Sequence, residues 1–162
     1  MKIGIMADSH ENMPKIAKAV EIFNKEGVNK VFHAGDVISA ITEKEFKKLN
    51  SKFIGVFGNN DGEQQLLRHA FAPFGGEFYS TCYVGTVENK KIIMFHEPIL
   101  IDELTRSSEV DIIIYGHTHK IDIKKENNVL IINPGECGGW IYNKPTIVIL
   151  ELESMEPRVI EL

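Results

Sequence analysis

Apolar residues in the first part of the chain come in two rhythms. The short runs Lys2 to Met6, Val28 to His33 and Phe53 to Phe57 are rich in Ile, Val and Phe, as buried strands are. Between the first two, Ile16, Ala19, Val20 and Phe23 recur at helical spacing, with Pro14 suited to the first turn and Gly27 as a stop. Thr42 with Glu45 three residues on predicts a capping box, opening a second helix that carries Phe46 and Leu49 inward. Leu66, Leu67, Ala70 and Phe71 mark a third helix, ended by Pro73 and the Gly75-Gly76 pair. Strand, helix, strand in this order predicts a parallel sheet with covering helices.

From Phe78 the pattern turns to strands. Tyr83 to Glu88 and Lys91 to Phe95, joined at Asn89-Lys90, predict a hairpin; Ile121 to Lys125 and Val129 to Asn133 predict another around Glu126-Asn127-Asn128. A short helix through Ile99 to Arg106 leads to a strand at Asp111 to Tyr115, and Thr146 to Glu153 with Arg158 to Glu161 add two more. No repeat, low-complexity tract or linker interrupts the pattern, so 1–162 is expected to form a single domain, long enough to bury a two-sided core.

No apolar run is long enough to span a bilayer, and Asp8 follows the first apolar residues too soon for a signal peptide, so a cytoplasmic protein with no membrane partner is expected. Cys82 and Cys137 read as reduced thiols. A net charge of −5 argues against an extended nucleic-acid surface.

The chemistry lies at the strand ends. Asp8-Ser9-His10, Gly35-Asp36, Gly58-Asn59-Asn60-Asp61, His96 and Gly116-His117-Thr118-His119 each follow an apolar run. Hard carboxylate and amide oxygens hold positive charge while imidazoles fix geometry, which is the donor mixture of a metal site for phosphate chemistry. The spacing of Asp8 to His10 and of His117 to His119 lets both members of a pair face one crevice from a loop, unlike the i, i+4 spacing of a helical site. Asp36 reads as the bridge between two ions.

The ordered set Asp-x-His, Gly-Asp, Gly-Asn-x-Asp, strand-end His, Gly-His-x-His resembles that of the calcineurin-like metallophosphoesterases, and the length and the Asn133-Pro134-Gly135 turn resemble their short YfcE-type phosphodiesterase branch. The resemblance covers essentially the whole chain. It implies an α/β fold, a four-layer α/β/β/α sandwich of two mixed β-sheets flanked by helices. It further implies two divalent ions, one held by Asp8, His10 and His119, the other by Asn59, His96 and His117, with Asp36 between them. Asp36, Asn59 and His96 take the catalytic role, and a metal-bridging hydroxide would attack phosphorus in line. Mn²⁺ leads the expected metals, with Ni²⁺, Fe²⁺ and Zn²⁺ as alternatives.

The resemblance implies a metal-dependent phosphodiesterase acting on a small phosphodiester, with a homo-oligomer left open. Two departures shape that expectation. Many relatives carry a His where this chain has Asn60, and an amide cannot transfer a proton, so phosphodiesters with good leaving groups are expected over alkyl monoesters. The usual His-Gly-His is here His96-Glu97-Pro98, so Glu97 either weakens the second site or joins it as ligand or proton donor. A retromer subunit shares the fold and works chiefly as a protein-binding scaffold, which sets a catalytically weak metal-binding scaffold as the rival reading.

Among the remaining candidates, His33 is expected to pack or hydrogen-bond behind the ligands, Asp61 to support its loop and His69 to lie on the surface. Trp140, Ile141 and Tyr142 form either an exposed patch or part of the core.

Overall fold

The computed structural model describes residues 1–107 and 109–162. Two mixed sheets face each other. In the first, β1 (Lys2–Met6), β2 (Lys30–His33), β3 (Lys52–Val56) and β4 (Glu77–Tyr79) run parallel, and β10 (Thr146–Glu151) and β11 (Glu156–Glu161) extend it antiparallel on the far side of β1. In the second, β6 (Lys90–Phe95), β7 (Ile112–Ile114) and β9 (Val129–Pro134) run parallel between the antiparallel edges β5 (Cys82–Val87) and β8 (Ile121–Glu126).

Alternation along the strands separates the layers. Ile3, Ile5, Phe32, Ile54 and Val56 meet Met94, Ile112, Ile114 and Ile132 in the core between the sheets. The alternate residues Val31 and Phe53 turn outward under α1 (Met13–Glu26), α2 (Glu43–Phe46) and α3 (Gln64–Phe71), where Phe53 touches Phe46, Phe71 and Phe78 with ring centroids 4.9, 4.9 and 5.4 Å apart. Each such aromatic pair contributes about 0.5–1.5 kcal/mol beyond its buried area. On the other side α4 (Ile101–Ser107) covers Phe95, Ile113 and Ile131. The result is the expected α/β/β/α sandwich. No helix among the described residues is long and apolar enough to cross a membrane.

The helical signals were read by the backbone with one exception. Asn12 caps α1, its side chain accepting from Lys15 N at 3.4 Å, and Gly27 ends it in the left-handed region. The Thr42–Glu45 capping box does not form. Ser39 caps a preceding 3-10 turn, Ala40–Thr42, and the Thr42 hydroxyl donates to Ser39 O at 2.7 Å, so Thr42 sits inside a continuing turn and α2 lasts only one. Phe46 is buried all the same. The first hairpin also differs by one residue: Glu88 and Asn89, at φ 47° and 63°, make the turn, while Lys90 already pairs with Val87. The second turn, Asn127-Asn128, falls within the expected segment.

All the parallel strands of both sheets deliver their carboxyl ends to one edge of the sandwich. That edge is where open α/β sheets bind ligands.

Candidate metal centre

Five loops and the end of a sixth strand meet at this edge. β1 leads to Asp8 and His10, β2 to Asp36, β3 to Asn59, β6 to His96 and β7 to His117 and His119, and β9 carries Asn133 near its end. Asp8, His10, Asp36, His117 and His119 all have φ between 40° and 66°, a region that costs a residue with a Cβ about 1–2 kcal/mol. Such torsions cluster where side chains are aimed for function.

The side chains converge on Asp36. Its Oδ2 lies 3.4 Å from His10 Nε2 and 3.5 Å from His96 Nε2. On one side are Asp8, His10 and His119, with His119 Nε2 3.6 Å from Asp8 Oδ1 and donor atoms of all three within 4.8 Å of one another. On the other, Asn59 Oδ1 lies 2.8 Å from His96 Nε2 and 3.0 Å from His117 Nδ1, and those two ring nitrogens are 3.3 Å apart. All seven residues expected to hold metal thus face one crevice.

The groups behind them fix which atoms face inward. His96 Nδ1–H donates to Ala34 O at 2.8 Å, leaving the Nε2 lone pair pointed at the Asn59 carbonyl oxygen. Two lone pairs at that distance repel unless a cation lies between them. His119 Nδ1–H donates to Glu136 at 3.0 Å, so its Nε2 also faces the crevice as an acceptor. His10 Nε2 is buried with no hydrogen-bond partner. Asp61 supports the centre as expected, accepting from Asp36 N at 3.0 Å, Gly58 N at 2.7 Å and Ile38 N at 2.6 Å. Asn133 Nδ2 donates to Gly116 O and Thr118 Oγ1, bracing the loop of His117 and His119.

Charge tells the same story. Burial, and next the neighbouring Asp36 charge, push the Asp8 carboxyl up to about 8, and burial raises Asp61 as well. Burial lowers His10 and takes His33 down to about 3. His33 is therefore neutral: Gly35 N donates to its Nδ1 at 3.2 Å and its Nε2–H reaches Ser9 Oγ at 3.0 Å, the supporting role expected of it. Crowded carboxylates and inward lone pairs, offered by oxygen and imidazole donors, fit divalent ions.

Glu136 escaped sequence reasoning. It is fully buried, and besides His119 it accepts from Ile141 N at 3.0 Å and Tyr142 N at 2.6 Å. Burial works against its charge, but the amides of Tyr142 and Ile141 together with His119 outweigh it and hold the carboxyl below its usual range. Its one sequence signal was its place directly after Asn133-Pro134-Gly135. Glu97 is exposed at the rim of a cleft that it shares with Asn59 and His96, and it belongs to neither group of convergent donors. His69 is exposed, Cys82 is exposed and Cys137 is buried. Trp140, Ile141 and Tyr142 are exposed, which settles their alternative against the core.

With this geometry in view, the chain matches the model of the calcineurin-like phosphoesterase superfamily domain over residues 1–155. It is 40% identical, over 100% of its length and 99% of the relative's, to the phosphodiesterase MJ0936 of Methanocaldococcus jannaschii. It is 27% identical to the phosphodiesterase YfcE of Escherichia coli over 83% of this chain and 78% of that one. A solved archaeal phosphodiesterase, 40% identical, superposes with a TM-score of 0.95 over the full length of both chains. Vps29 of Entamoeba histolytica complexed with zinc, 22% identical, shares the fold at a TM-score of 0.74, covering 99% of this chain and 91% of its own.

Proposed function

Because the chain belongs to the calcineurin-like phosphoesterase superfamily, we propose that it is a metal-dependent phosphodiesterase, a single domain over 1–162 that works at a centre of two divalent ions. One observation carries the reading: two sets of donors, Asp8, His10 and His119 on one side and Asn59, His96 and His117 on the other, share the carboxylate of Asp36. Mn²⁺ is the first choice for such oxygen and imidazole donors, with Ni²⁺, Fe²⁺ and Zn²⁺ behind it. When bound, divalent ions supply the positive charge that holds phosphate oxygens and acidifies a water for attack in line on phosphorus.

The chain's own residues orient and neutralise. Asp36 offers one carboxylate to both sides, and Asn60 fixes its plane by donating from Nδ2 to Oδ2 at 2.8 Å and from its backbone N to Oδ1 at 2.9 Å. The Asn60 side chain is engaged with Asp36, and as an amide it cannot transfer a proton to a leaving oxygen. A leaving group must depart as a stable anion, which favours aryl diesters over alkyl monoesters. Ala34 O and Glu136 hold the rings of His96 and His119 with the correct nitrogen inward.

The test is hydrolysis of bis-p-nitrophenyl phosphate beside p-nitrophenyl phosphate after chelator treatment and again after Mn²⁺ is restored. Diester turnover that is lost with the metal and returns with it is expected; metal-independent turnover, or none with bound Mn²⁺, would sink the proposal.

Glu136 yields a second expectation. In Glu136→Gln the amide oxygen can stay on the Ile141 and Tyr142 N–H groups only by turning its NH₂ toward His119 Nδ1, which moves the ring proton to Nε2, the nitrogen needed for the ion. Mn²⁺ affinity at the Asp8 side should fall about 10- to 100-fold. Calorimetric titration reads the affinity, and ¹⁵N NMR of the metal-free protein reads the tautomer; an unchanged tautomer would refute the explanation.

A further inference from the structure

The candidate centre has a cleft on either side, and the two differ in charge. Beside Asn59 and His96 the cleft is lined by Phe57, Phe95, Ile99, the hydroxyls of Ser80 and Thr81, and the carboxylate of Glu97. It has no cation in its lining; the nearby Arg68 guanidinium is engaged by Phe78 O and Ser80 Oγ. Beside His119, on the opposite side of Asp36, a cleft of about 240 Å³ is lined by Lys120, Ile121, Tyr142, Lys144 and Thr146.

The second cleft has no acidic lining residue, and among the described residues neither Lys120 nor Lys144 is in an ion pair. Lys120 Nζ stands 5.6 Å from the centre of the Tyr142 ring, within cation–π range. In a chain of net charge −5, two unpaired lysines facing one space beside an anion-binding centre are a local reversal of sign.

The wall that carries Tyr142 and Lys144 is built rather than draped. Asn12 Nδ2 donates to Gly138 O at 2.7 Å, Trp140 Nε1 donates to His10 O at 3.2 Å, and the buried Glu136 carboxylate takes the N–H groups of Ile141 and Tyr142. These bonds hold Trp140, Ile141 and Tyr142 out in solvent at 65%, 60% and 49% exposure, where burial would be favoured, and tie them to the loops of His10 and His119. A wall fastened in this way meets its ligand without paying for loop ordering.

We infer that the cleft of Lys120, Tyr142 and Lys144 is a subsite for a second phosphate, and that the preferred substrate is a phosphodiester with a terminal phosphate on the arm beside His119 and an uncharged arm beside His96. The inference rests on the phosphodiesterase reading. It adds that this substrate is told from a plain diester by charge at a distance from the scissile phosphorus.

The experiment compares an adenylyl dinucleotide with and without a 5′-terminal phosphate, on the Mn²⁺-loaded enzyme, with bis-p-nitrophenyl phosphate run alongside. The phosphorylated dinucleotide should be favoured in kcat/KM by about tenfold or more, and the preference should shrink as salt is raised. In the Lys120→Ala/Lys144→Ala double variant the ratio of the two dinucleotides should fall to near one. No preference in the wild type, or a preference that survives in the double variant, would overturn the subsite. Failure to hydrolyse bis-p-nitrophenyl phosphate would instead strike the phosphodiesterase reading. In that case quenching of Trp140, the one tryptophan of the chain, by the same two dinucleotides decides the subsite by the same ratio.

Discussion

Replacing Asp36 by asparagine is expected to reduce turnover of bis-p-nitrophenyl phosphate by about a thousandfold or more, and to leave a protein that titrates with no more than one Mn²⁺ per chain. Asp36 Oδ2 approaches both donor sets, 3.4 Å from His10 Nε2 and 3.5 Å from His96 Nε2. An amide in its place is neutral and presents one oxygen, so it cannot share a charge between two ions. The variant should not unfold. Asp36 is buried beside Asp8, and its charge works against that of Asp8, so removing it relieves a like-charge contact in the metal-free state. A thermal midpoint at or above that of the metal-free wild type, together with lost turnover, separates this chemistry from instability. Turnover within tenfold of wild type would refute the shared-carboxylate reading.

The second large effect belongs to a residue with no side chain. A Cβ at Gly58 would overlap Asp36 Oδ1 and sit 2.6 Å from the Asp36 backbone nitrogen. Neither atom can retreat, because the carboxylate is held by Asn60 and the Asp36 N–H is held by Asp61. Gly58→Ala should therefore cost about 1–3 kcal/mol of stability, a drop of several degrees in Tm, and should also disturb both sides of the centre at once. Gly62→Ala is the control, since a Cβ there meets nothing within 4 Å. Calorimetry on the two variants makes the comparison; equal midpoints would show that the β2 and β3 loops are not packed as described.

The candidate ligand residues were legible because their placement is a local matter. Asp8 and His10, or His117 and His119, each follow an apolar run that must end at a loop, and spacing of two within such a loop brings both to one crevice, here through left-handed torsions rather than an extended turn. What holds them is not local. Glu136 reaches His119 across 17 residues and Ala34 O reaches His96 across 62, distances at which sequence spacing has no period to read. The same limit explains the short α2. Thr42 and Glu45 carry a valid cap signal, but Ser39 offers another three residues earlier, and the chain had already begun to turn there. Pairing decided the hairpin, where the Val87 to Lys90 register placed Glu88 and Asn89 in the turn.

The order of the strands bears on when this protein becomes competent during its synthesis. β1 leads to the first candidate ligands but lies between β2 and β10, so the strand that supports Asp8 is not paired on both sides until Glu151 has left the ribosome. Both sides of the candidate centre wait for the loop after β7, one for His119 and the other for His117, and Glu136 must follow to turn His119 inward. A growing chain can therefore expose Asp8, His10 and Asp36 long before it can enclose an ion with them. Contacts so distant in sequence form slowly, which makes metal capture a late event and leaves the half-made chain a poor thief of whichever ion it meets first.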